Sequence, residues 1–555
     1  MHRRHKKSGG KHKNRNRGGH DTAAQRDDDE ENRPQGEEEE AEEQGKGKGD
    51  ADAPQQPQFQ GLTGPVEVKN SEIMGRYLVA SRDIAAGEWI LRSLEPLVVG
   101  PCQGGRPALC LACHVQLGLP LRLGAHCPRC GLPLCSADCP GPYHAAECAL
   151  LVAGGATPLA PDLLDVRPDL YNAIVPLRCL ALRDADPEKW AAVNQMEAHN
   201  DVRRARPAIW QANEQLVVEP IRSAWRLASR FSADEVHTVC GVLEVNAFEV
   251  GPQGCSVRAL YPAAYLMSHD CTPNTSHADD AERRLSVRAT LAIPKGQPVT
   301  LSYAYTLQGT LRRRQHLREG KFFDCVCRRC SDKTELGTFC SALICPKCGE
   351  ARVLPTDPLD EASAWECVAC AQYSANAASV DLLLRRLGDQ AEAIDANDVH
   401  EFEAFITKHE KLLPPCHYLM LGAKHSLCQL YGKAAEYLIS DLSDDMLRRK
   451  RDLCQQLLPL IDLLEPGLSR LRGTILYELH APIMVLATRA FETRSINKKD
   501  LQQQMRRVAQ CLEQAAQILA LDPEDSPERQ MADAAAQALV QVNEWRRQIG
   551  NNQKC

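Results

Sequence analysis

CLACHVQLGLPLRLGAHCPRCGLPLCSADCPGPYHAAEC, residues 110–148, most limits what this chain can become. Cys110 pairs with Cys113 and Cys127 with Cys130 across two intervening residues; Cys135 pairs with Cys139 and His144 with Cys148 across three. Eight donors in four close pairs make two closed tetrahedral zinc sites with no open coordination position, the pattern of a structural metal. His126 breaks the two-residue spacing and ranks behind Cys127 as a ligand. A segment this short has little apolar core, so each ion would contribute on the order of 10 kcal/mol to ordering it.

Two more cysteine groups follow. FFDCVCRRC sets Cys325, Cys327 and Cys330 so close together that the fourth ligand must come from elsewhere. Cys345, Cys348, Cys367 and Cys370 form two Cys-x2-Cys knuckles, a ribbon-type zinc site complete in itself. Cys271 and Cys340 are the nearest candidates to complete the three-cysteine group; sequence distance favours Cys340, and chemistry does not choose.

The basic start of the chain has no apolar core of a secretory signal, so the 25 cysteines are expected in a reducing compartment, as metal ligands rather than disulfides. No apolar run approaches the roughly 18–20 residues of a membrane span, so no membrane association is expected. Residues 1–62 run from strongly basic to strongly acidic with little apolar surface, which predicts a disordered tail. The basic run alone would suit nuclear import or a nucleic-acid contact; beside its acidic neighbour it reads as a solvated tail. No other stretch interleaves basic and aromatic residues, so direct nucleic-acid binding is not expected.

Helix signals are local. Asp186 and Pro187 occupy cap and first-turn positions, and the stretch to about Val250 reads mainly helical. Beyond residue 375 apolar residues recur at helical spacing, and Ser526 with Pro527 opens a last helix, without a clean 34-residue repeat.

Three further stretches carry a resemblance. MGRYLVASRDIAAGEWILRSLEPLVVGP (Met74–Pro101) resembles the opening of a SET domain, with its glycine turn and alternating strand pattern. LYPAAYLMSHDCTPNT (Leu260–Thr275) is similar to that family's Asn-His-Ser-Cys-x-Pro-Asn motif. PVTLSYAYTLQGTLRRRQHLREGKFFDCVCRRC (Pro298–Cys330) is similar to the following strand, tyrosine and post-SET cysteines. The ligand order of residues 110–148 resembles the MYND finger. A MYND finger inserted into a SET domain is the layout of the SMYD family of protein-lysine methyltransferases. SHDCTPNT and the added ribbon look most like its arthropod-specific branch. The resemblance runs over about residues 63–372.

It implies an α+β chain whose β-rich SET domain is split by a MYND finger and a helical insertion, then followed by a post-SET zinc site, a zinc ribbon and an all-α TPR-like domain. The implied boundaries are 1–62 tail, 63–109 first SET part, 110–148 finger and 149–245 helical insertion. They continue as 246–322 SET core, 323–372 post-SET site and ribbon, and 373–555 helical domain. On the MYND pattern Cys110, Cys113, Cys135 and Cys139 hold one ion, and Cys127, Cys130, His144 and Cys148 the other. The short gap from Cys139 to His144 implies a clipped last helix. The family's His-x-Cys cysteine belongs to the post-SET site, which would join Cys271 to Cys325, Cys327 and Cys330 and leave Cys340 a free thiol. About four zinc ions follow.

The activity implied is methyl transfer from S-adenosyl-L-methionine (SAM) to a lysine of a protein substrate, histone or other, in the nucleus, the cytoplasm or both. The finger would offer a surface for peptide partners. Tyr303 matches the catalytic tyrosine, with Tyr305 the nearby alternative; Gly75, Arg76, Glu244, Asn246, Ser268, His269 and Phe323 match cofactor-site positions. A lysine amine has an ordinary pKa of about 10.4, and a narrow apolar channel that desolvates it favours the neutral nucleophile and aligns it. Three positions depart from the pattern: Tyr77 replaces a glycine, Ser268 an asparagine, and Lys321 an aromatic of the substrate channel. Those departures define a second reading, a SET-MYND scaffold with a weakened site that works through its finger.

Overall fold

A computed structural model of the chain describes residues 62–72, 74–102, 108–118, 124–155, 168–251 and 257–551. The expected disordered tail lies, apart from Leu62, outside those residues. Val66 and Val68 alternate with charged residues in β1 (Val66–Ser71), and short apolar runs build β2 (Gly75–Ala80), β3 (Trp89–Leu94) and β4 (Val98–Pro101). β1 and β2 form an antiparallel hairpin with Val66 opposite Ala80, and Gly75 closes its turn at φ +62°, where a side chain would be strained.

The chain then leaves this β domain. The finger contributes β5 (Ala125–His126), β6 (Pro133–Leu134) and α1 (Ala145–Ala153). An α-helical excursion follows as α2 (Ile174–Ala185), α3 (Pro187–Asn194), α4 (Asn200–Arg204), α5 (Pro207–Asn213) and α6 (Ala233–Asn246). Asp186 caps α3 as its sequence predicts, its carboxylate accepting from the Lys189 N–H at 3.1 Å. Ser232 and Glu235 form a reciprocal capping box on α6.

The β domain resumes with β7 (Phe248–Val250), β8 (Val257–Leu260), β9 (Ser268–His269), β10 (Thr275–Asp279), β11 (Leu285–Ala289) and β12 (Thr300–Leu301). Strands from before and after the excursion interleave, in the orders β10–β11–β3 and β4–β8–β7. Leu78, Ile90, Leu91, Val257, Ala259, Leu285, Val287 and Leu301 fill the resulting core. Each fully buried Leu, Ile or Val side chain there contributes roughly 1.5–3 kcal/mol. β9 and β12 run parallel, with Leu301 beside His269, so the histidine segment lies against the strand that leads into Tyr303.

Beyond β12 come α7 (Thr310–Gly320) and the short α8 (Arg328–Ser331). A four-stranded antiparallel ribbon follows, β13 (Leu343–Ile344), β14 (Arg352–Pro355), β15 (Trp365–Cys367) and β16 (Ser374–Ala375). Seven helices complete the chain: α9 (Ala377–Glu392), α10 (Val399–His409), α11 (Tyr418–Leu430), α12 (Asp444–Leu464), α13 (Arg470–Glu492), α14 (Lys498–Leu519) and α15 (Pro527–Asn551). Ser526 caps α15 through the Arg529 N–H at 3.0 Å. Each of the last four helices packs on its chain neighbour.

Two of the sequence boundaries cut through elements, and a third separates the ribbon from its last strand. Position 148 falls inside α1, which runs on to Ala153 because Leu150 and Leu151 are buried against the excursion helices. Position 245 falls in the last turn of α6. The ribbon ends at Ala375 rather than 372, since Ala375 pairs with Trp365. Among the described residues no helix is long and apolar enough to cross a membrane.

Candidate active site and zinc centres

The structure gathers the cysteines and one histidine into four groups: Cys110, Cys113, Cys135, Cys139; Cys127, Cys130, His144, Cys148; Cys271, Cys325, Cys327, Cys330; and Cys345, Cys348, Cys367, Cys370. Within each, the donor atoms lie within 4.8 Å of one another. Zinc–thiolate arms of about 2.3 Å put tetrahedral ligand atoms about 3.8 Å apart. The observed separations match: Cys110–Cys139 3.8 Å, Cys127–Cys148 3.7 Å, Cys271–Cys325 3.9 Å and Cys345–Cys370 3.7 Å. The donor sets therefore fit zinc. His126 belongs to none of the groups, its Nδ1 lying 3.0 Å from the Gly124 carbonyl.

Cys271 rather than Cys340 meets the three post-SET cysteines. Cys340 is fully buried elsewhere, and burial pushes its thiol up to about 12. The reason lies in the topology: parallel pairing of β9 with β12 carries Cys271 to the loop before α8, whereas Cys340 packs beneath the helical domain.

His269 connects this site to Tyr303. Its Nε2 lies 3.2 Å from Cys271 Sγ, and its Nδ1 accepts the Tyr303 backbone N–H at 2.9 Å. An accepting Nδ1 requires the proton on Nε2, which then donates to the thiolate. Both ring nitrogens are thus engaged within the protein, and the ring meets Tyr303 and Phe323 with centroids 5.3 and 5.8 Å apart. Phe323 stands edge-on to Tyr303 at 6.5 Å. The Tyr303 hydroxyl donates to the Met267 carbonyl, and burial raises its pKa, so the phenol stays protonated. Tyr305 is half-exposed and lines a different cavity of about 670 Å³ with Arg312, Phe402 and Tyr418.

The remaining predicted positions divide. Ser268 Oγ is buried and, among the described residues, has no hydrogen-bond partner, an unmet polar group suited to a polar ligand. Around Gly75 a Cβ would meet nothing within 4 Å, which leaves that turn open. Arg76 donates to the Gln195 carbonyl, and its guanidinium lies 5.8 Å from the centre of the Tyr265 ring. Asn246 donates to the Glu197 and Val242 carbonyls, both at 2.8 Å. The Glu244 carboxylate is held by Arg203 at 3.1 Å and Asn213 at 2.8 Å. Tyr77 is half-buried in β2 on the opposite face from Leu78. Lys321 Nζ donates to the Glu244 and Val245 carbonyls and lies 5.8 Å from the Tyr303 ring centre.

Other residues act behind the metal ligands. Glu147 Oε1 lies 3.2 Å from His144 Nδ1, leaving Nε2 for the metal site; Arg178 grips that carboxylate at 2.5 and 3.1 Å. Arg178 also donates to the Val99 and Leu111 carbonyls, both at 2.6 Å, which fastens finger, β4 and α2 together. Behind the post-SET cysteines, Arg313 lies 3.6 Å from Cys330 Sγ, and Arg313 and Arg329 pair with buried Glu335 at 2.8 and 3.1 Å. Burial would raise the Glu335 carboxyl, but the two arginines outweigh it and hold it at about 2. Glu147 sits one helical turn from His144, a spacing that could have marked it; Glu335 has no comparable signature.

Residues 75–304 match the SET domain family. Over 366 residues the chain is 31% identical to SET domain-containing protein SmydA-8, isoform A, of Drosophila melanogaster, spanning 64% of this chain and 76% of that protein. It is 29% identical over 271 residues to N-lysine methyltransferase SMYD2 of Mus musculus, spanning 44% and 58%. Against histone-lysine N-methyltransferase SMYD3 of Homo sapiens it is 26% identical over 269 residues, spanning 46% and 59%. An interleaved SET β domain, interrupted by a double zinc finger and closed by a third zinc site, defines a SET-MYND protein. The chain belongs to the SMYD family, in its arthropod-like part.

Proposed function

We propose that this chain is a SAM-dependent protein-lysine N-methyltransferase. The observation that carries the reading is His269, whose two nitrogens tie the Cys271 thiolate to the Tyr303 backbone and so place one hydroxyl and two aromatic rings around a single point. Gly75, Arg76, Ser268 and the backbone of residues 244–246 would hold SAM, which supplies an electrophilic methyl group when bound. Tyr303 and Phe323 exclude water, which favours the neutral form of an incoming amine. The Tyr303 phenol, kept protonated, orients the reactants and is no base. The protein substrate, histone or other, brings the lysine, and the chain acts in the nucleus, the cytoplasm or both, with the finger available to peptide partners.

One observation favours the alternative of a scaffold with a weakened site: the Lys321 amine already occupies the neighbourhood of Tyr303. Calorimetric titration of the zinc-loaded protein with SAM and with its demethylated product decides between them. Micromolar binding, lost in His269→Ala that circular dichroism shows to be folded, is the expected result. Absence of binding by folded wild type overturns the enzyme reading.

A further inference from the structure

Lys321 sits at the C-terminal end of α7, followed by Phe322 in a left-handed conformation, φ +63°. A bulky residue adopts that backbone only where its surroundings compel it. The Phe322 ring packs against His199 at 6.1 Å and the Arg206 guanidinium at 5.3 Å. Its two neighbours turn the other way: Phe323 stands against Tyr303, and Lys321 Nζ reaches the Glu244 carbonyl at 3.0 Å and the Val245 carbonyl at 2.8 Å.

We propose that Lys321 is a modification site, an acceptor for methyl transfer within its own chain. The proposal rests on the methyltransferase reading. A neutral primary amine has two N–H donors and one lone pair. Two carbonyls that take both hydrogens leave the lone pair as the remaining valence, directed away from them, and that is how an amine is presented for attack. The nitrogen lies 5.8 Å from the centre of the Tyr303 ring, beside the hydroxyl-bearing side chain that the methyltransferase reading assigns to orienting the incoming amine. Burial also lowers the Lys321 pKa to about 8, so a useful fraction is neutral near neutral pH.

The step balances without an oxidant. The Nζ lone pair forms an N–C bond to the methyl carbon of SAM, the C–S pair stays on sulfur, the sulfonium becomes a thioether, and one proton leaves the new ammonium to solvent. In the neutral amine each added methyl removes a donor, so a monomethylated Lys321 can keep only one of its two carbonyl bonds and a dimethylated one neither. A simpler role for Lys321, satisfying last-turn carbonyls of α6, predicts no methylation.

The test uses the full zinc-loaded chain with isotope-labelled SAM and no added acceptor. Peptide mass mapping should find the label on Lys321, at a rate per chain independent of protein concentration, and none at that position in Lys321→Arg or Lys321→Met. A second readout needs no turnover. An ammonium beside the sulfonium disfavours SAM relative to its uncharged product, so near pH 7 Lys321→Met should raise the SAM-to-product affinity ratio about tenfold. Lys321→Arg, which retains charge and donors, should not. An unmodified Lys321 in a chain that binds SAM, or a ratio unchanged in Lys321→Met, overturns the proposal and leaves the methyltransferase reading standing. Failure to bind SAM overturns both.

Discussion

The finger's histidine-containing zinc site and the post-SET site share a plan. Each has four donors, and each is backed by a buried arginine and a buried glutamate. Their outer contacts lead in different directions. In the finger, Glu147 turns His144 and Arg178 carries the connection to the carbonyls of Val99 and Leu111, so the metal fastens architecture. In the post-SET site, His269 stands between Cys271 and the Tyr303 N–H, so an ion held there would fasten the segment that carries Tyr303. Similar four-donor sites, three cysteines with a histidine in one and four cysteines in the other, therefore acquire their roles from the partners behind the ligands, which orient them and fix the histidine tautomers.

The largest effect should come from the post-SET ligands. Cys271→Ser should lose one of four zinc ions, measured by metal analysis, and with it all detectable SAM binding, because that ion contributes on the order of 10 kcal/mol to its segment. Retained SAM binding in a chain one zinc short would break the distinction between the two sites. Arg178→Ala should destabilise the protein by about 3–5 kcal/mol in chemical denaturation, since it strands the fully buried Glu147 charge. The surviving folded fraction should still bind SAM normally.

His269→Ala is the sharper probe. It should weaken zinc at the post-SET site about 10–100-fold in chelator competition while leaving the finger's ions unaffected. Unchanged zinc retention would mean that the histidine serves the cofactor alone.

A smaller effect concerns pH. Lys321 is lowered to about 8 by burial, with Arg258 of β8 adding to the shift and the Glu244 carboxylate of α6 opposing it, and Tyr303 faces it as a protonated phenol. The unfolded chain, with an ordinary pKa of about 10.4, binds that proton more tightly. Stability should therefore rise with pH between about 8 and 10.4 by a contribution that Lys321→Met lacks, read as the difference between their denaturation midpoints. Cys340→Ala should do least, costing about 1 kcal/mol for its small buried volume and leaving the zinc content at four.

Much of this was readable beforehand wherever the information is local. Close cysteine pairs point to zinc because the ligand reach of a turn is short, and Asp186 and Ser526 announce helices because a cap acts within three residues. The ribbon's fourth strand was missed because Ser374–Ala375 has no pattern of its own and exists only by pairing with β15. Arg178 and Glu335 were missed for a related reason: a buried charge is defined by a partner far away in the chain, and nothing in the neighbouring residues records it.

By itself, then, the sequence determined the metal-binding modules, the helix starts and, through its motifs, the family to which the chain belongs. The motif resemblance already implies Cys271 for the third site and Tyr303 for the tyrosine, and the fold brings both to His269; tertiary structure alone decided that Lys321 reaches into their midst. Each of those placements depends on which distant segments a parallel strand pair and a left-handed residue bring within hydrogen-bonding distance, and spacing along a chain does not encode distance across a fold.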